Sequence, residues 1–270
     1  MNKKKCTAAA LSALLLLSSV PFAAQAASAE IEDLNGIPTA FVSSFGRMTY
    51  NGVNHTAFRN LNDAVAALGS DGGQIVFAGT LKMAEFTDAD GRAPLTFIGS
   101  GSKPTASVLL YDGEIESIEL HGDTAFRNCV IQTPTDIPIY THGYNISLSE
   151  KANSRSVETF VQGGNNTVDY PSPFIFAVGK ARADGKIGKL SYGSGVGRAV
   201  VGGSYDEDVL VADTAAEISG GKLEGVYVGN HDSGGSFTGS SDITISGGDV
   251  EYAILGSDSG TADGNLTLTI

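Results

Sequence analysis

The amino-acid sequence predicts an all-β protein built as a parallel β-helix, with one short helix near its N-terminus. The first observation is composition, since 35 glycines, 8 prolines and no tryptophan accompany short runs of Val, Ile, Ser and Thr. Glycine-rich turns between short β-branched runs are typical of all-β folds with many strands. The second observation is a repeat of about 20–27 residues without alternating helices, which indicates a stacked solenoid. The third is that only one segment has the apolar spacing of a helix.

The repeat is clearest near the C-terminal end of the sequence. The phrase ISGGKLEGVYVGN starts at Ile218, and the similar phrase ISGGDVEYAILGS starts at Ile245. Gly202, Gly229 and Gly256 close three apolar runs and recur at this same interval. Leucine-rich repeats need regular Leu and Asn positions that are missing here, and propeller blades need about 40 residues. We therefore predict coils of about 20–27 residues, most regular over residues 197–270.

Stacking of successive coils is the assumption on which the fold prediction rests. Each coil should lie about 4.8 Å above the last, so that equivalent side chains form columns. We expect Val201, Val228 and Leu255 to form one interior column. A second column is expected to contain Ile218, Ile245 and Ile270.

Earlier parts of the chain contain further short apolar runs, most of them ended by glycine. Gly79, Gly99 and Gly122 follow one another at somewhat shorter intervals than the later glycines. We interpret these runs as strands: TAFVSSF (39–45), IVFAG (75–79), LTFIG (95–99), IELHG (118–122), FRNCVI (126–131), NISLS (145–149), VETFVQGG (157–164) and FIFAVG (174–179).

The predicted helix covers residues 60–68. Phe58, Leu61, Val65 and Leu68 follow helical spacing, and alanines fill the positions between them. Asn60 is the expected N-cap and Gly69 the expected end. Because the helix is short and apolar on one side, it should lie against an apolar surface.

The N-terminal segment 1–26 has the layout of a secretory signal peptide. Lys3, Lys4 and Lys5 precede the apolar run 8–20, and Ala24-Gln25-Ala26 forms a cleavage site of small residues. We expect an exported protein, extracellular or at the cell surface, with an extended segment at 27–56 and the β-helix domain at 57–270. No later segment is apolar over the roughly 20 residues that a membrane-spanning helix needs.

Cysteine count and charge narrow the classes of partner. Without the leader, Cys129 is the only cysteine, so no intrachain disulfide can form. The net charge of −13 becomes −16 when the three leader lysines are removed. Such a charge disfavours nucleic acid and anionic membranes as partners, because both need cationic contacts. It leaves room for divalent cations.

Three phrases resemble a known family of exported proteins. HTAFRNLNDAVAALGSDGGQIVFAGTLKM, PLTFIGSG and ELHGDTAFRNCVI are similar to right-handed parallel β-helix proteins of the pectate-lyase-like superfamily. The resemblance covers residues 40–270 and implies a right-handed coil whose open end is capped by the N-terminal helix. Polysaccharide lyases of that superfamily hold Ca²⁺ on clustered acids, beside an Arg or Lys that acts as the base.

Candidate residues for such a metal site are Asp206, Glu207 and Asp208, with a solvated acidic loop as the alternative. Asp123 and Arg127 lie in a phrase that indicates a turn and a strand, so a structural role is expected for Asp123. Apart from the pair Glu224 and Glu251, acids do not recur at successive coils on one predicted strand face, so the catalytic residues of the family are not carried over. No cofactor is implied, with Ca²⁺ kept as the alternative.

Other polar and reactive residues favour structural roles. Glu224 and Glu251 occupy equivalent places in the two repeated phrases and should stack on a solvent-exposed face, although paired carboxylates are also the machinery of glycosidases. The two Asp-Ser-Gly triplets at 232–234 and 258–260 indicate Asx-type turns. The four histidines show no ligand spacing, and Cys129 is expected to be a buried apolar group. The candidates for a sugar-stacking face are the tyrosines Tyr140, Tyr144, Tyr192, Tyr205, Tyr227 and Tyr252, although the absence of Trp argues against such a face.

Two functions follow from the sequence. The first is a non-catalytic bacterial β-helix protein, an adhesin-like stalk or module that binds a polysaccharide or a host or cell-surface ligand. The alternative is a polysaccharide-active enzyme, either a pectate-lyase-like lyase or a glycoside hydrolase. Because the last coil has no cap after LTLTI, we also expect the sequence to be a truncated portion of a longer protein.

Overall fold

Turns of β-structure stack along one axis in this protein. The structure is a computed structural model that describes residues 28–102, 106–111, 117–133, 138–142, 144–148, 161–163, 175–177, 188–193, 196–203, 205, 213–231 and 236–270. Most described residues are in strands, and the architecture is a parallel β-solenoid of about five turns. The predicted fold class is confirmed.

The described residues contain one α-helix, α1 (Leu61–Leu68), which a 3₁₀ turn, Gly69–Asp71, continues. A second 3₁₀ turn covers Met83–Glu85. The strands are β1 (Glu32–Asp33), β2 (Pro38–Val42), β3 (Arg47–Tyr50), β4 (Val53–Thr56), β5 (Gly73–Phe77), β6 (Gly79–Lys82), β7 (Leu95–Gly99), β8 (Ser107–Leu110), β9 (Ile118–Glu119), β10 (Thr124–Arg127), β11 (Val130–Thr133), β12 (Pro138–Tyr140), β13 (Ile146–Leu148), β14 (Val161–Gly163), β15 (Ile175–Ala177), β16 (Gly188–Tyr192), β17 (Val196–Val201), β18 (Thr214–Tyr227), β19 (Ser236–Phe237), β20 (Ser241–Ile254), β21 (Thr261–Ala262) and β22 (Leu266–Thr269).

Three ladders of parallel strands run along the solenoid axis. Ladder A contains β2, β5, β7, β10, β13, β16, the first halves of β18 and β20, and β22. Ladder B contains β6, β8, β11 and β14. Ladder C contains β9, β12, β15, β17 and the second halves of β18 and β20. The long strands β18 and β20 therefore join ladders A and C, and their register shifts between Ile218 and Lys222.

Side chains on the inner face of each ladder stack on their counterparts in the neighbouring strands and form columns inside the solenoid. Phe97 and Phe126 are one such pair, with ring centroids 5.7 Å apart and planes at 13°. The full column on ladder A contains Ala40, Ile75, Phe97, Phe126, Leu148, Tyr192, Ile218 and Ile245. These residues belong to or pack against one core cluster. The core is thus continuous along the axis, which a chain without disulfides needs.

The predicted stacking is confirmed for Ile218 with Ile245 and is wrong for Val201. Ile218 lies opposite Ile245, as expected, whereas Ile270 is 88% exposed. Val201 lies opposite Tyr227 and Ile254, not opposite Val228 and Leu255.

The reason is that the register of β17 against β18 is one residue shorter than the interval between the repeated phrases. Val201 is paired with Tyr227, and the next step along the turn brings Gly203, not Gly202, level with Gly229. The glycine spacing in the sequence therefore does not give the strand register here.

A slip of one residue reverses the face to which a strand residue points. Val201 accordingly packs in an outer cluster with Ala199 and Tyr227. Val228 is fully buried in the main core, and Leu255 is 52% exposed. Ladder C instead stacks Ile118, Ile139, Val200 and Val226 inside the core.

Helix α1 forms where it was predicted. The Asn60 side chain accepts a hydrogen bond of 2.8 Å from the Asp63 backbone N–H, and Gly69 ends the helix with a φ of 66°. Leu61, Ala64 and Leu68 are buried in the same cluster as Ala40 and Val42 of β2. The helix therefore packs on the first turn of the solenoid, in the capping position implied by the sequence resemblance.

A hairpin not foreseen in the sequence covers the outer face of the first turns. Strands β3 and β4 pair antiparallel around Asn51 and Gly52, whose φ values are 49° and 80°. Met48 from this hairpin packs with Phe41, Val76 and other apolar residues outside ladder A. The segment expected to be extended thus gives the first turns a second, smaller core.

The described helices are too short to cross a membrane, and none has the required apolar length.

Candidate functional site

A cleft of about 380 Å³ opens on the side of the solenoid, and we call it the lateral cleft. It lies between the segment that follows β6 and the strand β9 of ladder C. Its lining residues are Met83, Phe86, Thr87, Asp88, Tyr111, Ser117, Ile118, Glu119 and His121. The lining combines apolar groups with hydroxyls, an imidazole and two carboxylates. Such a mixture suits a ligand that has both apolar and polar faces.

Helix α1 holds one wall of the lateral cleft in place. The Asn62 side chain donates to the Glu85 carbonyl at 2.8 Å and accepts from the Thr87 backbone N–H at 3.0 Å. Phe86 packs against the main core between these two bonds. The capping helix therefore positions the segment that supplies Asp88.

Arg92 holds the same segment from its other end. Its Nε donates to Asp88 Oδ1 at 2.6 Å, and Nη2 donates to Thr124 Oγ1 at 2.6 Å. Nη1 donates to the backbone carbonyls of Ala93 and Asp123 at 3.2 and 3.1 Å. The Arg92 side chain is only 7% exposed. Each guanidinium nitrogen is bonded within the protein, so Arg92 supports the cleft wall instead of facing a ligand.

The opposite wall carries a carboxylate between a hydroxyl and an imidazole. Glu119 accepts from the Ser117 hydroxyl at 2.5 Å, and its other oxygen contacts His142 Nε2. Because Glu119 is opposite Tyr140 in ladder C, the contact with His142 links two successive turns. Glu119 is thus held by its neighbours with its carboxylate at the cleft.

Two histidines stack at the edge of the lateral cleft. His121 and His142 follow β9 and β12 at equivalent positions, with ring centroids 6.5 Å apart and planes at 17°. His121 Nδ1 lies 4.0 Å from Asp90 Oδ1, which also accepts from the Tyr144 hydroxyl at 2.8 Å. The edge therefore places imidazoles and carboxylates within reach of each other.

Tyr111 keeps its proton at the inner side of the cleft. Burial raises the pKa of its phenol well above the usual value, the negative charge of Asp88 adds to this, and Arg92 opposes it. A neutral phenol can donate a hydrogen bond to a ligand.

The sequence signal for the histidine edge was present but was not used. The pair His121-Gly122 recurs as His142-Gly143, at an interval close to that of the early closing glycines. Among the histidines only metal-ligand spacing was considered, and the ring contact of this pair was not predicted from the sequence. Asp88, Arg92 and Glu119 have no comparable signal, because they come from different turns.

Residues singled out in the sequence lie elsewhere. Asp206, Glu207 and Asp208 lie outside the described residues, so the metal-site prediction stays untested. Asp123 accepts from the backbone N–H and side-chain amide of Asn145 at 2.8 and 2.9 Å, which is the expected structural role. Arg127 lies in β10, and its buried Nε has no hydrogen-bond partner in the described part of the chain.

Glu224 and Glu251 stack one turn apart on an outer face, as predicted. Arg198 lies 3.8 Å from Glu224, and Lys222 lies 3.9 Å from Glu251, so cations offset the repulsion between the carboxylates. These are surface ion pairs, each of which contributes about 0–1 kcal/mol. This column does not border the lateral cleft.

The six candidate tyrosines do not form one open surface. Tyr144 and Tyr192 are buried in the main core, and Tyr140 and Tyr227 are also buried. The Tyr227 ring is stacked on His231 with centroids 3.8 Å apart. Of the six tyrosines considered, Tyr252 is the exposed one, at 38%.

His231 belongs to a second histidine contact farther along the solenoid. Its Nδ1 lies 2.6 Å from Asp258 Oδ2. The same carboxylate accepts from the Ser259 hydroxyl at 3.1 Å through its other oxygen. In the second Asp-Ser-Gly triplet, the Asp carboxylate therefore bonds to an adjacent turn as well as to its own.

The described residues contain no group of three or more His, Cys, Asp or Glu side chains arranged to hold a metal ion. Cys129 is fully buried, as predicted. Burial raises the pKa of its thiol to about 12. Such a thiol is an apolar packing group and not a nucleophile.

A second depression, of about 280 Å³, lies on the outer face of ladder A. It is lined by Lys189, Leu190, Ser191, Ala215, Ala216, Glu217, Asp242 and Thr244. These residues come from three strands that are neighbours in ladder A, β16, β18 and β20. The depression lacks the aromatic and imidazole groups of the lateral cleft.

The fold and the lateral cleft place this chain in the class of parallel β-solenoid proteins with a lateral polar cleft. Comparison with models of protein families, with curated proteins and with solved structures finds no match.

Proposed function

We propose that this protein is an exported, non-catalytic β-solenoid that binds a carbohydrate in the lateral cleft. The observation that carries the proposal is the composition of the cleft wall: Phe86 beside Ser117, Asp88 and Glu119. A sugar ring has apolar C–H faces and hydroxyl edges, so it needs apolar surface next to hydrogen-bond acceptors. The volume of about 380 Å³ is near the lower end of the usual range for small-molecule sites, which favours a short segment of glycan.

The wall is also preorganised, which favours binding. Asp88 is held by Arg92, and Glu119 is held by Ser117 and His142. Side chains held by their neighbours lose little conformational entropy when a ligand binds.

The same contacts argue against the lyase mechanism of the pectate-lyase-like superfamily. That mechanism needs a metal on clustered acids and a free Arg or Lys as the base. The guanidinium next to the lateral cleft is buried and bonded to Asp88, Thr124 and the backbone. The described lining residues include neither Arg nor Lys.

One observation favours a second candidate function, a glycoside hydrolase. Asp88 and Glu119 line the same cleft, and hydrolases of this kind use a pair of carboxyl groups on either side of the scissile bond. In many such enzymes the proton donor is a carboxyl group in an apolar pocket. Here both carboxylates have polar partners, so binding is the better-supported function.

The remaining parts of the proposal rest on the sequence. The leader-like segment 1–26, which lies outside the described residues, supports export to the extracellular space or the cell surface. The three phrases similar to the pectate-lyase-like superfamily support a right-handed coil and an adhesin-like role in a bacterium.

The test is a glycan-binding screen followed by titration calorimetry on the chain that starts at residue 27. The Glu119→Gln variant should weaken binding of a selected glycan at least tenfold, because it removes an acceptor charge from the cleft wall. Glu251→Gln is the matched control, since Glu251 makes the same charge change on another face and its side chain is 53% exposed. Circular dichroism checks that both variants fold.

Two outcomes would overturn the proposal. One is that the wild-type chain binds no glycan in the screen. The other is that Glu119→Gln and Glu251→Gln affect binding equally, which would place the ligand elsewhere. Release of new reducing ends from a bound glycan would replace the binding function with the hydrolase, whereas an unsaturated product from polygalacturonate and Ca²⁺ would establish a lyase.

A further inference from the structure

We infer that the lateral cleft selects an amino sugar, one whose free amine is protonated, over neutral sugars and uronic acids. This inference rests on the proposed function and specifies its ligand. It follows from the charges that surround the cleft.

Carboxylates outnumber the available cations at the lateral cleft. Asp88 and Glu119 line it, and Asp90 lies beside His121 at the edge with its side chain 81% exposed. The guanidinium of Arg92 is bonded to one of these three carboxylates, that of Asp88. Three carboxylates and one guanidinium leave an excess of two negative charges among these four groups.

The positive charge of Arg92 is not presented to a ligand. Its side chain is 7% exposed, and its donors are directed at Asp88, Thr124 and the carbonyls of Ala93 and Asp123. A uronate carboxylate would therefore enter the cleft without a cationic partner, next to Asp88 and Glu119. Burying such an unpaired charge beside like charges is unfavourable.

A protonated amine meets the opposite situation. It can donate up to three hydrogen bonds, and carboxylates on both walls can accept them. Charge-assisted hydrogen bonds of this kind are roughly twice as strong as those between neutral groups. The apolar face of the sugar ring can contact Phe86, as that of any sugar would. The amine thus adds selectivity to contacts that all sugars share.

The net charge of the whole chain is negative, like that of the lateral cleft. A net charge of −13 attracts cationic ligands over distances of about 8–10 Å at moderate salt. Because this attraction is not specific to the cleft, the experiment must separate it from binding at the site.

The experiment is calorimetric titration at mildly acidic pH, where the amines of glucosamine are protonated, with three oligosaccharides of equal length. These are a glucosamine oligomer with free amines, its N-acetylated counterpart and a galacturonate oligomer. The glucosamine oligomer should bind at least tenfold more tightly than the N-acetylated one, and the galacturonate oligomer should not bind. Glu119→Gln should weaken glucosamine binding at least tenfold but change N-acetylated binding less than threefold. Glu251→Gln should change neither.

The outcomes separate the inference from the proposed function. If the N-acetylated oligomer binds as tightly as the glucosamine oligomer, at a site sensitive to Glu119→Gln, the amine preference is wrong and glycan binding stands. If no oligosaccharide binds, the proposed function fails. A lysine oligomer of equal charge is the control for general attraction. If it binds as tightly as the glucosamine oligomer, the cleft does not select sugars and both proposals fail.

Discussion

Asp123 accepts two hydrogen bonds from Asn145, which lies one turn farther along the solenoid. The backbone N–H of Asn145 is 2.8 Å from Asp123 Oδ1, and its side-chain amide is 2.9 Å from Oδ2. Asp213 bonds to the Ser240 backbone N–H of its next turn in the same way, at 2.8 Å. In both places an Asp just before a ladder A strand accepts a hydrogen bond from the following turn and so links the two turns.

Asp123→Ala should therefore lower the free energy of unfolding by about 1–3 kcal/mol, because bonds to a charged acceptor are lost. Urea unfolding followed by circular dichroism measures the change. Asp123→Asn keeps an oxygen that can accept from the Asn145 backbone N–H, so it should cost less. An equal loss in both variants would mean that the carboxylate, and not the hydrogen bonding, is what matters.

Gly99→Ala should destabilise the fold through overpacking. A Cβ at Gly99 would collide with the Asn128 carbonyl oxygen and lie 2.7 Å from Ser107 Cβ in the neighbouring ladder. Inserting a methyl group into such a site costs about 1–3 kcal/mol or more. Gly256→Ala is the control, because nothing lies within 4 Å of that Cβ position, and its thermal midpoint should hardly change. Equal thermal midpoints for the two variants would show that the turns are not packed as described.

Val228→Ala and Leu255→Ala should differ strongly in stability. Val228 is fully buried in the core, whereas Leu255 is 52% exposed. Removing two buried methyl groups costs about 2 kcal/mol once the cavity is included, and truncating an exposed side chain costs about 0.5 kcal/mol or less. Similar losses of unfolding free energy in both variants would contradict the different burial of these two side chains.

Cys129 should be unreactive in the folded protein. Burial raises its pKa from 9.0 to about 12, so the thiolate fraction near pH 8 falls about a thousandfold. Alkylation by iodoacetamide in a chain starting at residue 27 should therefore require unfolding by urea. Equal labelling rates in the folded and unfolded chain would contradict the burial.

The same shift makes stability depend on pH. The folded state holds the thiol proton more tightly than the unfolded state, so this contribution is complete below about pH 9. It is lost as the pH rises from about 9 toward 12. Tyr192 adds a dependence of the same sign, because burial raises its pKa as well. Cys129→Ala should therefore show a smaller fall of the unfolding midpoint over this range than the wild type.

Local features were predictable from the sequence, and helix α1 is the clearest case. The Asn60 cap, the Gly69 end and the apolar side of Leu61 and Leu68 all follow from close neighbours in the chain. The hairpin β3–β4 was predictable too, since Asn-Gly favours a two-residue turn between antiparallel strands. Its signal at Asn51-Gly52 was overlooked because the flanking runs are short.

The lateral cleft was not predictable in the same way. Asp88, Glu119 and His142 come from distant parts of the sequence and meet only because successive turns stack. Arg92 has no motif that reveals its buried position. The repeated His-Gly pair indicated which residues stack, but not that carboxylates from another turn would meet them.

The sequence by itself determined that the chain winds into a stacked solenoid of short strands. It also determined where the helix begins and ends, and that the core is built without a disulfide. These properties depend on residue spacing and local backbone preference, which are written along the chain. Only the tertiary structure decided which residues of ladder C face inward and which charged groups gather at the cleft. The physical reason is that a difference of one residue in the length of a turn changes which sequence positions lie opposite each other and which side chains face inward. The period that reveals the fold barely changes.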